Sequence, residues 1–204
     1  YILDANNVRV RKVTPAGIIS TVAGDGTSAA GTDGVSGTLS SLDNPTSIAT
    51  DPAGNLYIAE AAQDPMFLMP FLKIRKVDAS GIITTVIQTA AADPVIVRMD
   101  DMAYEPATGG FVGVQTNRHR VVRVHPDAST SVVAGSAVGI SGHSGDDGPG
   151  GLARLSSPTA VAVDSRGNIY LAGSGLTSDT VIEGNDALLE HLNIGYHTGI
   201  AIDA

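Results

Sequence analysis

The chain has 204 residues, 43% of them apolar, with 24 Gly, no Cys, no Trp, 4% aromatics and a formal charge of -9. The cysteine count excludes disulfides, thiolate metal sites and cysteine nucleophiles together, and the acidic balance opposes a general affinity for phosphate backbones, which rests on Lys and Arg. No apolar run reaches the length of a membrane helix, so the chain reads as soluble, with a core left to Val, Ile, Leu and Ala.

The first predicted element is the short apolar run YILD at 1–4. A polar turn, ANN, leads into VRVRKV (8–13), whose alternation is that of a strand. TPAG supplies Pro and Gly at turn spacing before a third strand, IISTVAG (18–24). A long loop of Gly, Ser, Thr and Asp covers 25–44. TSIATD (46–51) then forms a fourth strand, and PAGN turns it back into LYIAE (56–60), which opens the next unit. That unit carries an inserted stretch at 61–73 and then LKIRKVDASGIITTVIQ (72–88), close to a copy of VRVRKVTPAGIISTVAG. The third unit has a worn opening, RMDDMAYEPATGGFVGV (98–114), followed by HRVVRVHPDASTSVVAG (119–135) and the loop GISGHSGDDGPGG (139–151). PTAVAVDSRGNIYLAG (158–173) restates PTSIATDPAGNLYIAE (45–60), a helical turn is expected at 186–192, and TGIAIDA (198–204) matches TAVAVDS.

Asn55 and Asn168 stand 113 residues apart with Gly110 near the midpoint, a period of about 56 to 57 residues. Units of four short strands joined by tight turns cannot bury their faces alone, and arranged radially they make a β-propeller. A β-helix would use much shorter coils. The expected fold class is therefore all-β, a propeller of four-stranded antiparallel blades. One domain, 1–204, holds about four repeats, near 1–56, 57–111, 112–169 and 170–204. Tyr1 falls inside a repeat, and YILD and TGIAIDA flank one and the same hairpin. The expectation is a piece of a longer chain, an open arc of a larger ring.

These residues resemble the NHL-repeat propellers of bacterial and extracellular proteins. The matches are Asp4, Asn7, Arg9, Arg11, Lys12, Val13, Gly17 and STVAG in the first repeat, and SGHSGDDGPGGLARLSSPTAVAVDSRGNIYLAG at 141–173. Three departures stand out: the insertion at 61–73, the missing Gly-Asp loop in repeat two, and the lack of an RIRKV run in repeat four. The resemblance implies a non-catalytic structural or protein-interaction module of an extracellular or cell-surface protein. It also admits part of a six-bladed propeller enzyme of the lyase or lactonase type, or a sensor domain binding a small ligand or glycan. Fold alone does not choose among these.

Nine of the 12 basic residues (Arg9, Arg11, Lys12, Lys73, Arg75, Lys76, Arg118, Arg120 and Arg123) lie on or beside one strand type. They are read as pairing within the blade, Arg9 with Asp4, or as solvated strand-face residues, rather than as a stripe for a polyanion. Asp146 and Asp147 in the glycine-rich loop lack the EF-hand spacing for calcium, so that loop is read as a turn between blades. His119, His125, His143, His191 and His197 are scattered, no metalloprotease or nucleophile-elbow motif occurs, and neither a catalytic residue nor a cofactor is assigned. The insertion concentrates Met66, Phe67, Leu68, Met69, Phe71 and Leu72. An exposed apolar segment of this kind marks an interaction surface, and these six are the candidate site. A protein partner or self-assembly is expected, a glycan is admitted, and nucleic acid and membrane insertion are not.

Overall fold

The computed structural model describes residues 1–64, 66, 69–91, 95–173, 179–183 and 188–192. Sixteen strands follow in chain order. They are β1 (Ile2–Asp4), β2 (Arg9–Val13), β3 (Ile19–Ala23), β4 (Val35–Ser36), β5 (Pro45–Thr50), β6 (Leu56–Gln63), β7 (Pro70–Val77) and β8 (Ile82–Gln88). The remainder are β9 (Asp101–Glu105), β10 (Gly110–Gln115), β11 (Arg120–Val124), β12 (Thr130–Gly135), β13 (Pro158–Val163), β14 (Ile169–Gly173), β15 (Asp179–Glu183) and β16 (Leu188–Leu192). Short 3-10 turns are the only helical elements among the described residues. The helical turn expected at 186–192 is replaced by β16, which pairs antiparallel with β15 through Val181↔Glu190 and Ile182↔Leu189.

The strands form four antiparallel sheets, ordered β1-β2-β3, β4-β8-β7-β6-β5, β12-β11-β10-β9 and β13-β14-β15-β16. The run PTSIAT pairs with the LYIAE that follows it, Ile48 opposite Ile58 and Ala49 opposite Tyr57. It is thus the first strand of the second sheet, and the sequence period and the hydrogen-bonded sheet are out of phase by one strand. Register irregularities recur at matching places. In the first three sheets β2, β7 and β11 shift against β3, β8 and β12 at Val10/Arg11, Ile74/Arg75 and Val121/Val122. Such bulges re-aim side chains and are specific features of a strand pair, so their recurrence shows that these three repeats share backbone geometry as well as sequence.

The turns owe their form to one side-chain motif written twice. Asp51 accepts hydrogen bonds from the Asn55 amide, Asn55 Nδ2 and Tyr57 Oη. Asp164 accepts the same three from Asn168 and Tyr170. Gly54 and Gly167 take φ of 82° and 90° inside these turns, where a side chain is disfavoured. Burial pushes both carboxyls up, but the Asn and Tyr hydrogen bonds outweigh it and hold them below the ordinary value.

By contact the chain divides into two compact units, Tyr1–Met99 and Asp100–Ala204. In the first, Val10, Ala23, Leu42, Leu56, Ile58, Val77 and Ile83 form a buried cluster between the first two sheets. The loop 25–44 ties those sheets together: Val35 and Ser36 pair with Ile83 and Ile82 as an added outer strand, and Asp33 accepts hydrogen bonds from the Thr85 amide and Oγ1. In the second unit Val112, Val114, Val121, Ala134, Ala153, Leu155, Val161, Ile169 and Leu171 form the corresponding cluster. The Val161 amide donates to Asp101 there, joining the two sheets at 2.9 Å.

Candidate functional site

The hairpin between the second and third strands of a sheet is where the repeats differ most. In the first sheet β1 closes onto β2 through the 3-10 turn Ala5–Asn7, with Val8 in left-handed backbone. In the third, Thr116–Arg118 does the same and His119 takes the left-handed position. The second sheet has no such turn. Its strands run on, pairing Ala61 with Leu72, Ala62 with Phe71 and Gln63 with Pro70 beyond the point where the others close.

The six predicted residues divide along this extended hairpin. Met66 and Met69 are exposed near its tip, at 79% and 44%. Phe71 and Leu72 are buried strand residues of β7, at 7% and 0%, so they belong to the sheet and are not on the surface. Phe67 and Leu68 lie outside the described residues.

The register places Asp4 opposite Arg9, Glu60 opposite Lys73, and Gln115 opposite Arg120. In the first and third sheets this polar pair sits directly beneath the closing turn. In the second the strands continue past it, and Glu60 and Arg75 are wholly buried. Arg75 Nη1 is 3.6 Å from Glu60 Oε1, and Lys73 Nζ is 3.9 Å from Oε2. Neither distance is a hydrogen bond. Both Glu60 oxygens and Arg75 Nε and Nη1 are buried without a hydrogen-bond partner. Arg75 Nη2, by contrast, is well held, at 2.8 Å from Asp33 Oδ1 with further bonds to the Thr32 carbonyl and Ser40 Oγ. Burial raises the Glu60 carboxyl to about 7 against the opposing pull of Arg75 and Lys73.

Sequence reading singled out the hairpin but not Glu60. The available signal was positional: an acid in the slot of Asp4 and Gln115, a slot that is buried at Gln115 as well. The basic residues also differ from expectation. Arg9 does not pair with Asp4. It donates to the carbonyls of Asn7 and Asp25, and Arg11 is the ion-pair partner of Asp4 at 3.5 Å. The displacement follows from the strand pleat, which sets Arg9 and Arg11 on one face with Arg11 free to reach back. Arg75 and Arg120 are not solvated but buried, Arg120 bonding Gln115 Oε1 and the Ala137 carbonyl. Arg9 and Arg120 hold equivalent positions and both clamp the first residues of the long loop.

Asp146 and Asp147 lie in the glycine-rich loop, Asp147 in left-handed backbone. Among the described residues no three His, Asp or Glu side chains come together as a metal site would require. His119 Nδ1 accepts a hydrogen bond from the Ser157 amide, a structural contact. His197 lies outside the described residues, and only the backbone of His191 is described. A groove of about 470 Å³ runs between the first two sheets, its walls including Tyr1, Lys12, Thr21, Ser36, Thr38 and Asp78, with Lys12 Nζ 5.4 Å from the Tyr1 ring centroid.

A family model described as a β-propeller repeat matches residues 36–59, the strand pair with the Asp51 turn. The sheets are propeller blades. Solved structures share this blade fold across most of the chain. An auxiliary nutrient binding protein from Bacteroides thetaiotaomicron VPI-5482 is 13% identical with a TM-score of 0.58, over 91% of this chain and 42% of that one. An auxiliary nutrient binding protein from Bacteroides ovatus ATCC 8483 is 14% identical with a TM-score of 0.53, over 89% and 46%. A luciferin-regenerating enzyme is 11% identical with a TM-score of 0.54, over 96% and 60%. The chain thus spans about half the length of the structures it matches. No curated protein sequence matches it.

Proposed function

We propose that this chain is a non-catalytic propeller module of an extracellular or cell-surface protein, and that it binds a protein partner through the extended hairpin of its second blade. The observation that carries this reading is the exposure of Met66 and Met69 at a place where the neighbouring repeats close in a compact polar turn. Methionine is flexible and polarizable and suits adaptable binding surfaces, and a rigid sheet beneath it keeps the ordering cost of association low. Two structural relatives are described as auxiliary nutrient binding proteins, which supports a binding module.

The test is a photo-crosslinking amino acid placed at Met66, with a second sample carrying it at Leu152, which is equally exposed. The purified chain and an extract of its source cells are each irradiated with it. A discrete adduct from position 66, absent from position 152 and weakened by Met69→Asp, is the expected result. Equal adducts from both positions would sink the reading.

A second reading, a small polar ligand such as a glycan, is favoured by the groove with its aromatic ring and hydroxyls. Titration with a panel of oligosaccharides should then release heat that Tyr1→Ala abolishes. Heat unchanged by Tyr1→Ala would remove it.

A further inference from the structure

We propose that Glu60, Lys73 and Arg75 form a proton-operated latch at the base of the β6–β7 hairpin, closed while Glu60 carries a proton and loosened when it ionises. The inference goes beyond partner binding and holds whatever the tip contacts. It starts from the orphaned atoms. Buried polar groups are almost always hydrogen-bonded, yet four atoms of this one cluster are not. A neutral carboxyl can remain in such a place, because burying it costs far less than burying a charge. An ionised Glu60 has two cations nearby but bonds to neither, and it gains by admitting water.

The route for water is the hairpin extension itself. Beyond the pairing of β6 with β7 and the burial of Ala62, Phe71 and Leu72, it is held by the Ala61 amide to the Asn44 carbonyl, Asn44 Nδ2 to the Ala61 carbonyl, the Thr89 amide and Oγ1 to the Leu72 carbonyl, the Leu72 amide to Thr89 Oγ1, and the Gln63 amide to Asp43 Oδ2 at 3.4 Å. Releasing them exposes Glu60 without disturbing the pairing of Leu56 with Val77 at the far end of the same strands. The charged groups that face Glu60 are Lys73 and Arg75 from β7 and Asp43 from the loop before β5. Asp33 acts through Arg75. Strands β5 and β8 contribute no charged residue. At Asp43 the backbone amide favours an ionised Glu60 and the carboxylate repels it, the amide being the larger influence, and Asp33 keeps the better-bonded half of Arg75 engaged elsewhere. The raised carboxyl, at about 7, places the change within the neutral range.

Hydrogen exchange of the amides of Ala61, Gln63 and Leu72, corrected for the intrinsic pH dependence of exchange, tests the latch. If the closed form holds its proton to about pH 7 and the open form has an ordinary carboxyl, the opening constant rises about tenfold per pH unit from 5 to 7 and levels off above. Glu60→Gln should make it flat, and the equivalent turn at Gln115 and Arg120 should be flat in the unaltered chain. A flat profile in the unaltered chain, or a rise that survives Glu60→Gln, overturns the proposal. Should that variant fail to fold, the carboxyl resonance of Glu60 in the unaltered chain decides: a midpoint near 4.5 overturns it and one near 7 supports it.

Discussion

At the scale of single residues, the buried and clamping charges explain more of this molecule than the apolar core alone. Glu60 has a folded-state value of about 7 against an ordinary 4.5, so between those pH values the folded chain holds a proton that the unfolded chain has released. Its contribution to stability is full below 4.5 and is lost as pH rises through 7, a change on the order of 3 kcal/mol. Urea titrations at pH 5 and pH 8 should therefore show a stability loss toward pH 8 that Glu60→Gln reduces. Asp101, also raised by burial, acts in the same sense above its ordinary value. Asp33, Asp51 and Asp164 act in the opposite sense. Their hydrogen bonds hold them below 3.8, and their contribution disappears as pH falls through their folded values. Arg120→Ala would remove one hydrogen bond from a buried Gln115 and release the start of the following loop, at a cost of roughly 2 kcal/mol in the same titration.

At the scale of elements, the hairpin and the turn can be tested separately. Replacing residues 61–72 with the Ala-Asn-Asn-Val that joins Asp4 to Arg9 should restore the short connection of the first blade. Loop length enters stability only weakly, but the replacement also removes buried Ala62, Phe71 and Leu72, so the expected loss is about 3 kcal/mol or more. The pH slope due to Glu60 should weaken to the extent that residues 61–72 bury it beyond the burial that Gln115 already has beneath the short turn of the third sheet. Persistence of that slope in urea titrations would mean that the extension is not what buries the acid. Asp51→Ala removes the acceptor of three hydrogen bonds from one turn and should cost roughly 2 kcal/mol, and Asp164→Ala should match it in the equivalent turn. The hairpin's existence was legible from the inserted run at 61–73, but the split of its six apolar residues was not. Whether Phe71 and Leu72 continue a strand depends on β6 lengthening in register to meet them, and pairing across strands leaves no mark in either strand read alone.

At the scale of the molecule, the two compact units each have a buried cluster between adjacent blades. Leu42 in the first and Leu155 in the second lie at equivalent places, at the end of the long loop where it enters the next blade. Truncating either to Ala should cost about 3 kcal/mol by transfer and cavity formation together. Hydrogen exchange should report the loss first in the unit that carries the change. The same loops explain why so much glycine is compatible with a stable fold. Arg9 and Arg120 clamp their first residues, and Asp33, Val35 and Ser36 fasten one of them along the outer strand of the following blade.

Composition and period by themselves determined the class of fold, the four-stranded blade and the place where the repeat breaks, because alternation, turn residues and self-similarity are local properties written along the chain. Tertiary structure decided three other matters: which neighbour each strand pairs with, which basic residues are buried clamps, and that Glu60 is an enclosed acid. Burial and charge coupling arise from segments brought together across many residues, as Asp33 and Arg75 are, and no local pattern in either segment carries that information.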